Sequence, residues 1–433
     1  MLESEGTTIQ FHGGGLVAFG RVRVSGPLPR AKQPEDVGFS SHRLERIKAT
    51  FQSEINKGGL PGAVILIARR GRLAYLEAFG FQDREKQVAM TIDAIFRIAS
   101  LTKPVISVAV MMLVEEGKIR LTAPVSSYLP EFKETKVGVE KINSVTGKPE
   151  LVLEPARREM TIHDLLRHTS GLCGMFGNSL VDQAYREADV FTPRQTLAQF
   201  VSKLSKLPLA YHPGTTFEYS VSTDLLGHII EVVSGMNLDE IIADRITKPL
   251  SMPDTGFYAT GAQVARVAEP QIETETGKRP AMRDVVNRPT WLSGGVGMIS
   301  TAIDYARFCQ MLLNGGEFNG VRLLSPKTVV HMTANHLPPD IAMSLTVSSL
   351  FGPLIPDATH GQGFGLGFAV RTEAGRNPLP GSSGEYYWVG STGTVFWVDP
   401  KESLIAVMMQ QIPLMAFDQG SLIRNLVYQA MVD

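Results

Sequence analysis

Residues 96–117 read FRIASLTKPVISVAVMMLVEEG, and this stretch decides how the chain is organised. From Val105 to Glu116 it is apolar on nearly every side, which predicts a helix buried at the centre of a domain. Gly117 is a natural C-terminal stop, and Pro104 stands in the first turn, where its missing N–H costs least. Ser100 is therefore predicted at the N-terminus of a buried central helix.

Ser100 and Lys103 stand one helical turn apart at this position, with Cβ atoms about 5–6 Å from each other on one face. A serine hydroxyl needs a base to become a nucleophile, and a lysine can serve as that base only in its neutral amine form. Burial and the positive end of a helix dipole both disfavour the ammonium. The pair is a candidate nucleophile and base, and the alternative is a capping serine beside a solvated lysine.

Strands are predicted near both ends of the chain. Ala63–Ala68 and Leu73–Phe79 read as an early hairpin, and Thr394–Val398 and Leu404–Met409 as two late strands. Between them, residues 123–288 carry mostly helical and turn signals. The prediction is an α/β (α+β) fold with one antiparallel sheet of about five or more strands, built from both termini and flanked by helices.

The chain is predicted to have a leader and two domains. One domain is formed by two separate segments of the sequence, the other is inserted between those segments, and the active site is predicted in the cleft between the two domains. The ranges are 1–32 for a poorly ordered leader, 33–122 and 289–433 for the discontinuous α/β domain, and 123–288 for a mainly helical domain.

Composition excludes several classes of protein. The 433 residues are 43% hydrophobic and 20% charged with a formal net charge of -1, as in ordinary globular proteins, and no basic excess favours nucleic acid as a partner. No stretch is apolar enough to span a membrane, and the N-terminus lacks a signal-peptide pattern, so we predict a cytoplasmic protein. Cys173 and Cys309 match no metal-binding spacing, and a disulfide between them stays open.

Four motifs in order along the chain resemble the serine β-lactamase and penicillin-binding-protein superfamily, in particular its esterase branch, the family VIII carboxylesterases. Ser100-Leu101-Thr102-Lys103 matches S-x-x-K. Residues 165–172, LLRHTSGL, are similar to L-L-x-H-T-S-G-L. Tyr219-Ser220-Val221 resembles Y-x-N of class C β-lactamases, and Trp388-Val389-Gly390 stands where lactamases have K-T-G. The resemblance covers nearly all of the chain from about Gln33 and implies a β-lactamase-like fold.

The resemblance also implies roles for residues outside the first motif. Tyr219 would be the second general acid or base, and the backbone N–H groups of Ser100 and Ser391 would form the oxyanion hole. His168 would be structural, and Ser222 and Asp224 are expected to cap the following helix. No metal or organic cofactor is implied. The predicted substrate pocket includes Trp388, Val221 and Gly390.

Two departures from the lactamase pattern concern the substrate. Trp388 carries no charge to attract a carboxylate, and Val221 replaces the asparagine that would bind a substrate amide. Both point to small neutral molecules, so we predict a serine carboxylesterase of EC 3.1.1 type that forms an acyl-enzyme on Ser100. Weak β-lactam cleavage, acyl transfer, D-amino-acid peptidase activity and a non-catalytic sensor remain alternatives. The sequence leaves the natural substrate and the choice between monomer and homodimer open.

Overall fold

A computed structural model describes residues 28–174, 176–273, 275–345, 347–348, 356–412 and 417–433. The α-helices are α1 (Ser41–Asn56), α2 (Thr102–Glu115), α3 (Ile162–Leu166), α4 (Leu180–Glu187), α5 (Leu197–Leu204), α6 (Ser222–Ser234), α7 (Leu238–Ile242), α8 (Ala302–Leu313), α9 (Pro326–Met332) and α10 (Phe417–Tyr428). The strands are β1 (Gly62–Arg69), β2 (Arg72–Asp83), β3 (Val88–Ala89), β4 (Phe96–Arg97), β5 (Lys136–Ile142), β6 (Pro149–Pro155), β7 (Thr216–Phe217), β8 (Ile299–Ser300), β9 (Glu317–Phe318), β10 (Val321–Arg322), β11 (Ala342–Met343), β12 (Gln362–Phe364), β13 (Ala369–Arg371), β14 (Tyr386–Val389), β15 (Val395–Asp399) and β16 (Leu404–Gln410).

One eight-stranded sheet, in the order β12-β13-β14-β15-β16-β1-β2-β3, forms the main layer. Neighbouring strands in it are antiparallel, and β1 from the start of the chain pairs with β16 from its end, Ala63 opposite Gln410. The predicted antiparallel sheet built from both termini is therefore confirmed. β1 and β2 extend the predicted hairpin by a few residues at the ends.

Helices cover the centre of this sheet. α1 packs on β2 and α10, and α8 packs on β1 and β16. Every residue of β1 is buried, so both faces of the central strand are covered. The apolar stripe predicted for α1 is the buried one, and its Phe51 ring lies 6.3 Å from that of Phe79 on β2.

The predicted central helix is α2. Its residues from Thr102 to Leu113 are all buried, and it packs against α6. Just before it, β4 pairs with β8, and the short 3-10 turn Ala99–Leu101 leads into the helix. Ser100 therefore enters the core at the junction of a small two-stranded pairing and the most buried helix.

A β-hairpin interrupts the segment predicted to be mainly helical. β5 and β6 pair along their whole length, from Lys136 opposite Pro155 to Ile142 opposite Pro149, and α3 to α7 follow them. Within β5 only Val137 is buried, and Lys141 pairs with Glu154 at 2.8 Å across the hairpin. Since nearly all of these residues are at least partly exposed and charged side chains are mixed with apolar ones, the strands lack the regular apolar alternation by which a strand is recognised in sequence.

The N-terminal segment is described only in part. Residues 1–27 of the predicted leader lie outside the described residues, whereas Ala31 donates its N–H to Leu73 O at 2.9 Å and so runs beside β2. Cys173 and Cys309 are both buried and are not bonded to each other, and Cys173 Sγ donates to Asp182. Within the described ranges, no helix combines the length and apolarity that crossing a bilayer requires.

Candidate active site

Ser100 lies at a strained junction. Ala99 directly before it has φ +44°, a left-handed conformation that costs a non-glycine residue about 1–2 kcal/mol. The backbone there is held by Ile98 N–H, which donates to Met298 O at 3.1 Å. Ser100 is 8% exposed, so the residue is nearly buried. Strain of this kind tends to be kept where it aims a functional side chain.

Lys103 faces Ser100 on the first turn of α2, as its spacing predicts. Its Nζ lies 3.3 Å from Ser100 Oγ and donates to Gly295 O at 3.0 Å. The side chain is 5% exposed. The same Nζ lies 4.6 Å from the centroid of the Tyr219 ring, within the range of a cation–π contact.

Tyr219 comes from the loop between β7 and α6 and completes the contact chain. Its hydroxyl accepts a hydrogen bond from Trp388 Nε1 at 3.2 Å, and the two ring centroids are 5.2 Å apart. Contacts therefore run from Ser100 through Lys103 and Tyr219 to Trp388. The structure thus brings these four residues, predicted from three separate motifs, into one cluster.

His168 fixes the loop that carries Tyr219. Its carbonyl accepts a hydrogen bond from Glu218 N–H at 2.9 Å, and its Nδ1 accepts one from Ser220 N–H at 3.3 Å. His168 therefore holds the backbone on both sides of Tyr219. Burial, together with the charge of Lys103, holds the pKa of His168 well below its usual value. A neutral imidazole that accepts from backbone is a structural support for Tyr219, in the role expected from the LLRHTSGL motif.

Ser391 lies in the turn between β14 and β15, which is tied to the segment before Ser100. Thr392 Oγ1 donates to Arg97 O at 2.7 Å, and Thr394 Oγ1 donates to Ile98 O at 3.2 Å. A Cβ on Gly390 would lie 2.2 Å from Thr394 Oγ1 and 2.7 Å from Ile98 O, so only glycine fits there. The glycine of the motif permits the close approach, and Ser391 beside it is exposed.

Trp388 is 1% exposed and packs edge-on against Phe364, with centroids 5.2 Å apart. Most of its surface thus meets protein, and its described polar contact is with Tyr219. Val221 is also buried, at the N-cap position of α6. The pocket roles assigned to Trp388, Val221 and Gly390 stay predictions.

Asp224 and Ser222 do not cap α6, because the helix start has no side-chain capping bond. The Asp224 carboxylate instead accepts from Ser293 Oγ at 2.5 Å, and Ser222 Oγ lies 2.8 Å from the hydroxyls of Ser170 and Ser220. The expectation failed because a partner from a distant loop competes for the Asp224 oxygens.

Two groups at the site escaped sequence reasoning. The Gly295 carbonyl binds Lys103, although Gly294-Gly295 reads only as a chain break. Phe176 is 55% exposed and stacks on Tyr219 with centroids 6.2 Å apart. A large exposed aromatic side chain on a catalytic-type tyrosine is suited to contact an apolar substrate group. No sequence signal distinguishes this phenylalanine from an ordinary loop residue.

The residues that the structure describes contain no group of three or more histidine, cysteine, aspartate or glutamate side chains placed to hold a metal ion. The cluster itself supplies a hydroxyl from Ser100, an amine or ammonium from Lys103 and a phenol from Tyr219, together with backbone N–H groups. These are the components of acyl transfer through a serine.

Comparisons with known proteins show the family to which the chain belongs. Residues 47–428 match the family model described as Beta-lactamase. The chain is 34% identical to Protein Rv1367c of Mycobacterium tuberculosis over 388 residues, covering 87% of this chain and 92% of that protein. It is 28% identical to Esterase EstB of Burkholderia gladioli, covering 84% of this chain and 89% of the esterase.

Among solved structures, the chain is similar to EstCE1, a hydrolase with promiscuous acyltransferase activity. The TM-score is 0.73 at 26% identity, covering 89% of this chain and 99% of that one. The family model, the sequence identity and the fold similarity lead to the same conclusion. The chain belongs to the beta-lactamase family.

Proposed function

We propose that the protein is a serine carboxylesterase of the family VIII type, acting on small neutral esters through an acyl-enzyme on Ser100. The observation that carries the proposal is the contact chain from Ser100 through Lys103 and Tyr219 to Trp388. The contact chain supplies a nucleophile, Ser100, together with the groups that accept its proton. It also has the uncharged indole of Trp388 at the position where lactamases carry a lysine. The similarity to Esterase EstB supports the same conclusion.

In this mechanism the Lys103–Tyr219 pair takes the proton from Ser100 Oγ as the oxygen attacks the ester carbonyl carbon. The negative charge that develops on the carbonyl oxygen is received by the backbone N–H groups of Ser100 and Ser391. Collapse of the tetrahedral intermediate breaks the bond to the alcohol oxygen, which receives the proton from Tyr219. Water then takes the place of the alcohol and attacks the acyl carbon while Tyr219 accepts its proton. The bond to Ser100 Oγ breaks, the Ser100 oxygen regains the proton, and the free acid is released.

The preference for esters rests on what surrounds Tyr219. Trp388 offers a neutral N–H donor, and Phe176 offers an exposed aromatic face. Neither group would pair with the carboxylate of a β-lactam or a peptide terminus. An uncharged acyl or alcohol group can cover the Phe176 ring and gain apolar burial.

A substrate panel tests this proposal. Aryl acetate, butyrate, octanoate and laurate are compared with a chromogenic cephalosporin on the purified protein. We expect turnover of the shorter esters, with kcat/KM at least about a hundredfold above that for the cephalosporin.

In Phe176→Ala we expect KM for the esters to rise up to about tenfold with little change in kcat. The apolar contact that is lost is made equally in the bound substrate and in the transition state.

Phe191→Ala is the matched control for this panel, since Phe191 is also exposed and aromatic but contacts Trp291 instead of Tyr219. Its kinetics should resemble those of the unmodified protein. Faster cleavage of the cephalosporin than of every ester would refute the proposed substrate class.

The Trp388 N–H gives a second prediction. Trp388→Phe keeps a ring at the site but deletes the donor to the Tyr219 hydroxyl, and a bond to a charged group is worth about 1.5–3 kcal/mol. Because that N–H favours the phenolate, we expect kcat/KM to fall about tenfold and the acid limb of its pH profile to move to higher pH.

Trp397→Phe serves as the control for this measurement, because Trp397 is a fully buried indole on β15 that packs on Tyr428. Its pH profile should keep the acid limb of the unmodified protein. An unmoved limb in Trp388→Phe would show that the indole does not act on Tyr219.

Acyl transfer to an alcohol is the second candidate. EstCE1, whose structure this chain resembles, combines hydrolysis with acyltransferase activity. Ser100, Lys103 and Tyr219 are each less than a tenth exposed, which restricts water around an acyl-enzyme. Product analysis with added short alcohols separates the two activities, since transfer yields a new ester and hydrolysis only the free acid.

A further inference from the structure

Asp224 is a buried carboxylate that the mechanism above does not use. It lies in the first turn of α6 and is 4% exposed. Its oxygens receive hydrogen bonds from Ser293 Oγ, at 2.5 Å, and from the backbone N–H of Gly295. Burial raises the pKa of Asp224, while the hydrogen bond from Ser293 and the charge of Lys103 act in the opposite direction. A buried carboxylate needs a compensating charge, so a lysine nearby is significant.

A single tight turn separates Asp224 from Lys103. A Cβ on Gly295 would lie 2.4 Å from Asp224 Oδ2, and a Cβ on Gly294 would lie 2.5 Å from Thr223 O, so the turn is pressed directly onto the start of α6. On the other side of the same turn, Gly295 O accepts from Lys103 Nζ at 3.0 Å. Gly295 thus donates its N–H to the Asp224 carboxylate and accepts a hydrogen bond from Lys103 with its carbonyl oxygen.

The other groups around Lys103 also suit a cation. Its Nζ has a carbonyl oxygen at 3.0 Å, the Ser100 hydroxyl oxygen at 3.3 Å and the face of the Tyr219 ring at 4.6 Å. His168 also feels the charge of Lys103, and its depressed pKa leaves it neutral. Among the described residues, Asp224 is the acidic side chain on which the charge of Lys103 acts, and as a carboxylate it balances that one positive charge.

We infer that Asp224 is the counter-ion that positions Lys103 and keeps it in the ammonium form, so that Tyr219 is the group that accepts the Ser100 proton. The Ser100 O–H bond breaks and a Tyr219 O–H bond forms, while the Ser100 oxygen bonds to the carbonyl carbon and the carbonyl π electrons move to its oxygen. On collapse, Tyr219 returns that proton to the leaving alkoxide. Lys103 keeps its three protons throughout and stabilises the phenolate.

This inference rests on the proposed function and changes the role expected of Lys103 from base to electrostatic support. Asp224 touches no reacting atom, so it is a positioning residue. Removing its charge makes loss of the first proton from the Lys103–Tyr219 pair easier and disfavours the ammonium. Both limbs of the pH profile should then move to lower pH, while a smaller share of the pair holds the ammonium–phenolate arrangement.

The test is the pH dependence of the rate at which a fluorophosphonate labels Ser100, which requires no knowledge of the ester substrate. For Asp224→Asn we expect a maximal labelling rate about tenfold lower, with both limbs moved to lower pH. Asp304→Asn is the matched control, because Asp304 is likewise buried in the first turn of a helix and accepts from a hydroxyl, that of Thr255. It should leave the labelling profile unchanged.

Two outcomes would contradict different parts of the account. An unlabelled wild-type protein would contradict the proposed function itself. Labelling of the wild type, together with an Asp224→Asn profile whose limbs are unmoved, would overturn the counter-ion role even if the rate fell.

If Asp224→Asn does not fold, NMR of the wild-type protein with lysine labelled at Cε gives a second measurement, assigned by comparison with Lys103→Arg. The Lys103 signal should stay at its ammonium position from about pH 6 to pH 9. A signal at the amine position over that range would overturn the inference.

Discussion

Replacing Ser100 by alanine is expected to lower kcat/KM for an aryl ester by at least about a thousandfold while the protein keeps its fold. The hydroxyl is the proposed nucleophile, and alanine removes it without adding volume to a site that is already nearly closed. The measurement is steady-state hydrolysis, with circular dichroism to verify folding.

Ser107→Ala provides the comparison for this variant. Ser107 lies on the same helix and is 1% exposed, but its hydroxyl faces Gly367 instead of Lys103. Esterase activity near the wild-type level is expected for it. If Ser100→Ala also hydrolysed esters at nearly the wild-type rate, the assignment of the nucleophile would be wrong.

Lys103→Met is expected to cost about as much activity as the loss of Ser100, roughly a thousandfold in kcat/KM. Methionine has a similar length and suits a buried helix, so the change removes the charge with little loss of packing. Without the ammonium, the Tyr219 phenolate loses the positive charge that lies beside its ring. Lys118→Met, at an exposed lysine paired with Glu116, should leave hydrolysis unchanged.

Stability adds a check on the same variant. Lys103→Met leaves Asp224 without its counter-charge, which we expect to lower the free energy of unfolding by about 2 kcal/mol or more. The double variant Lys103→Met, Asp224→Asn should recover stability but not activity. Recovery of activity, or a single variant with wild-type kinetics, would contradict the role given to Lys103.

Local patterns in the sequence predict the centre of the fold well. The apolar run after Pro104 becomes α2, and the β-rich runs at both ends become β1, β2, β15 and β16. Most of these elements are buried along nearly their whole length, so their residues are mainly apolar. That apolar pattern can be detected in the sequence. The hairpin formed by β5 and β6 is held by backbone pairing between largely exposed strands, and β12 and β13 have only three residues each. Such elements leave little periodicity to detect.

The candidate site divides in a similar way. Ser100 and Lys103 are neighbours on one helix, so their spacing alone places them together. Tyr219 and Trp388 come from distant parts of the chain, and only the family resemblance connects them to that helix. Asp224 was expected to cap its own helix because its position satisfies a local rule. Its actual partner, Ser293, depends on how a remote glycine turn packs, which no local rule describes.

The most direct measurement of the central claim is to trap the acyl-enzyme. The protein is mixed with an aryl butyrate, quenched in acid during turnover, digested and examined by mass spectrometry. We predict a butyryl group on the peptide that contains Ser100 in the wild type, and no such adduct in Ser100→Ala. A butyryl group on another residue, or turnover by a protein that never carries the adduct, would contradict the account.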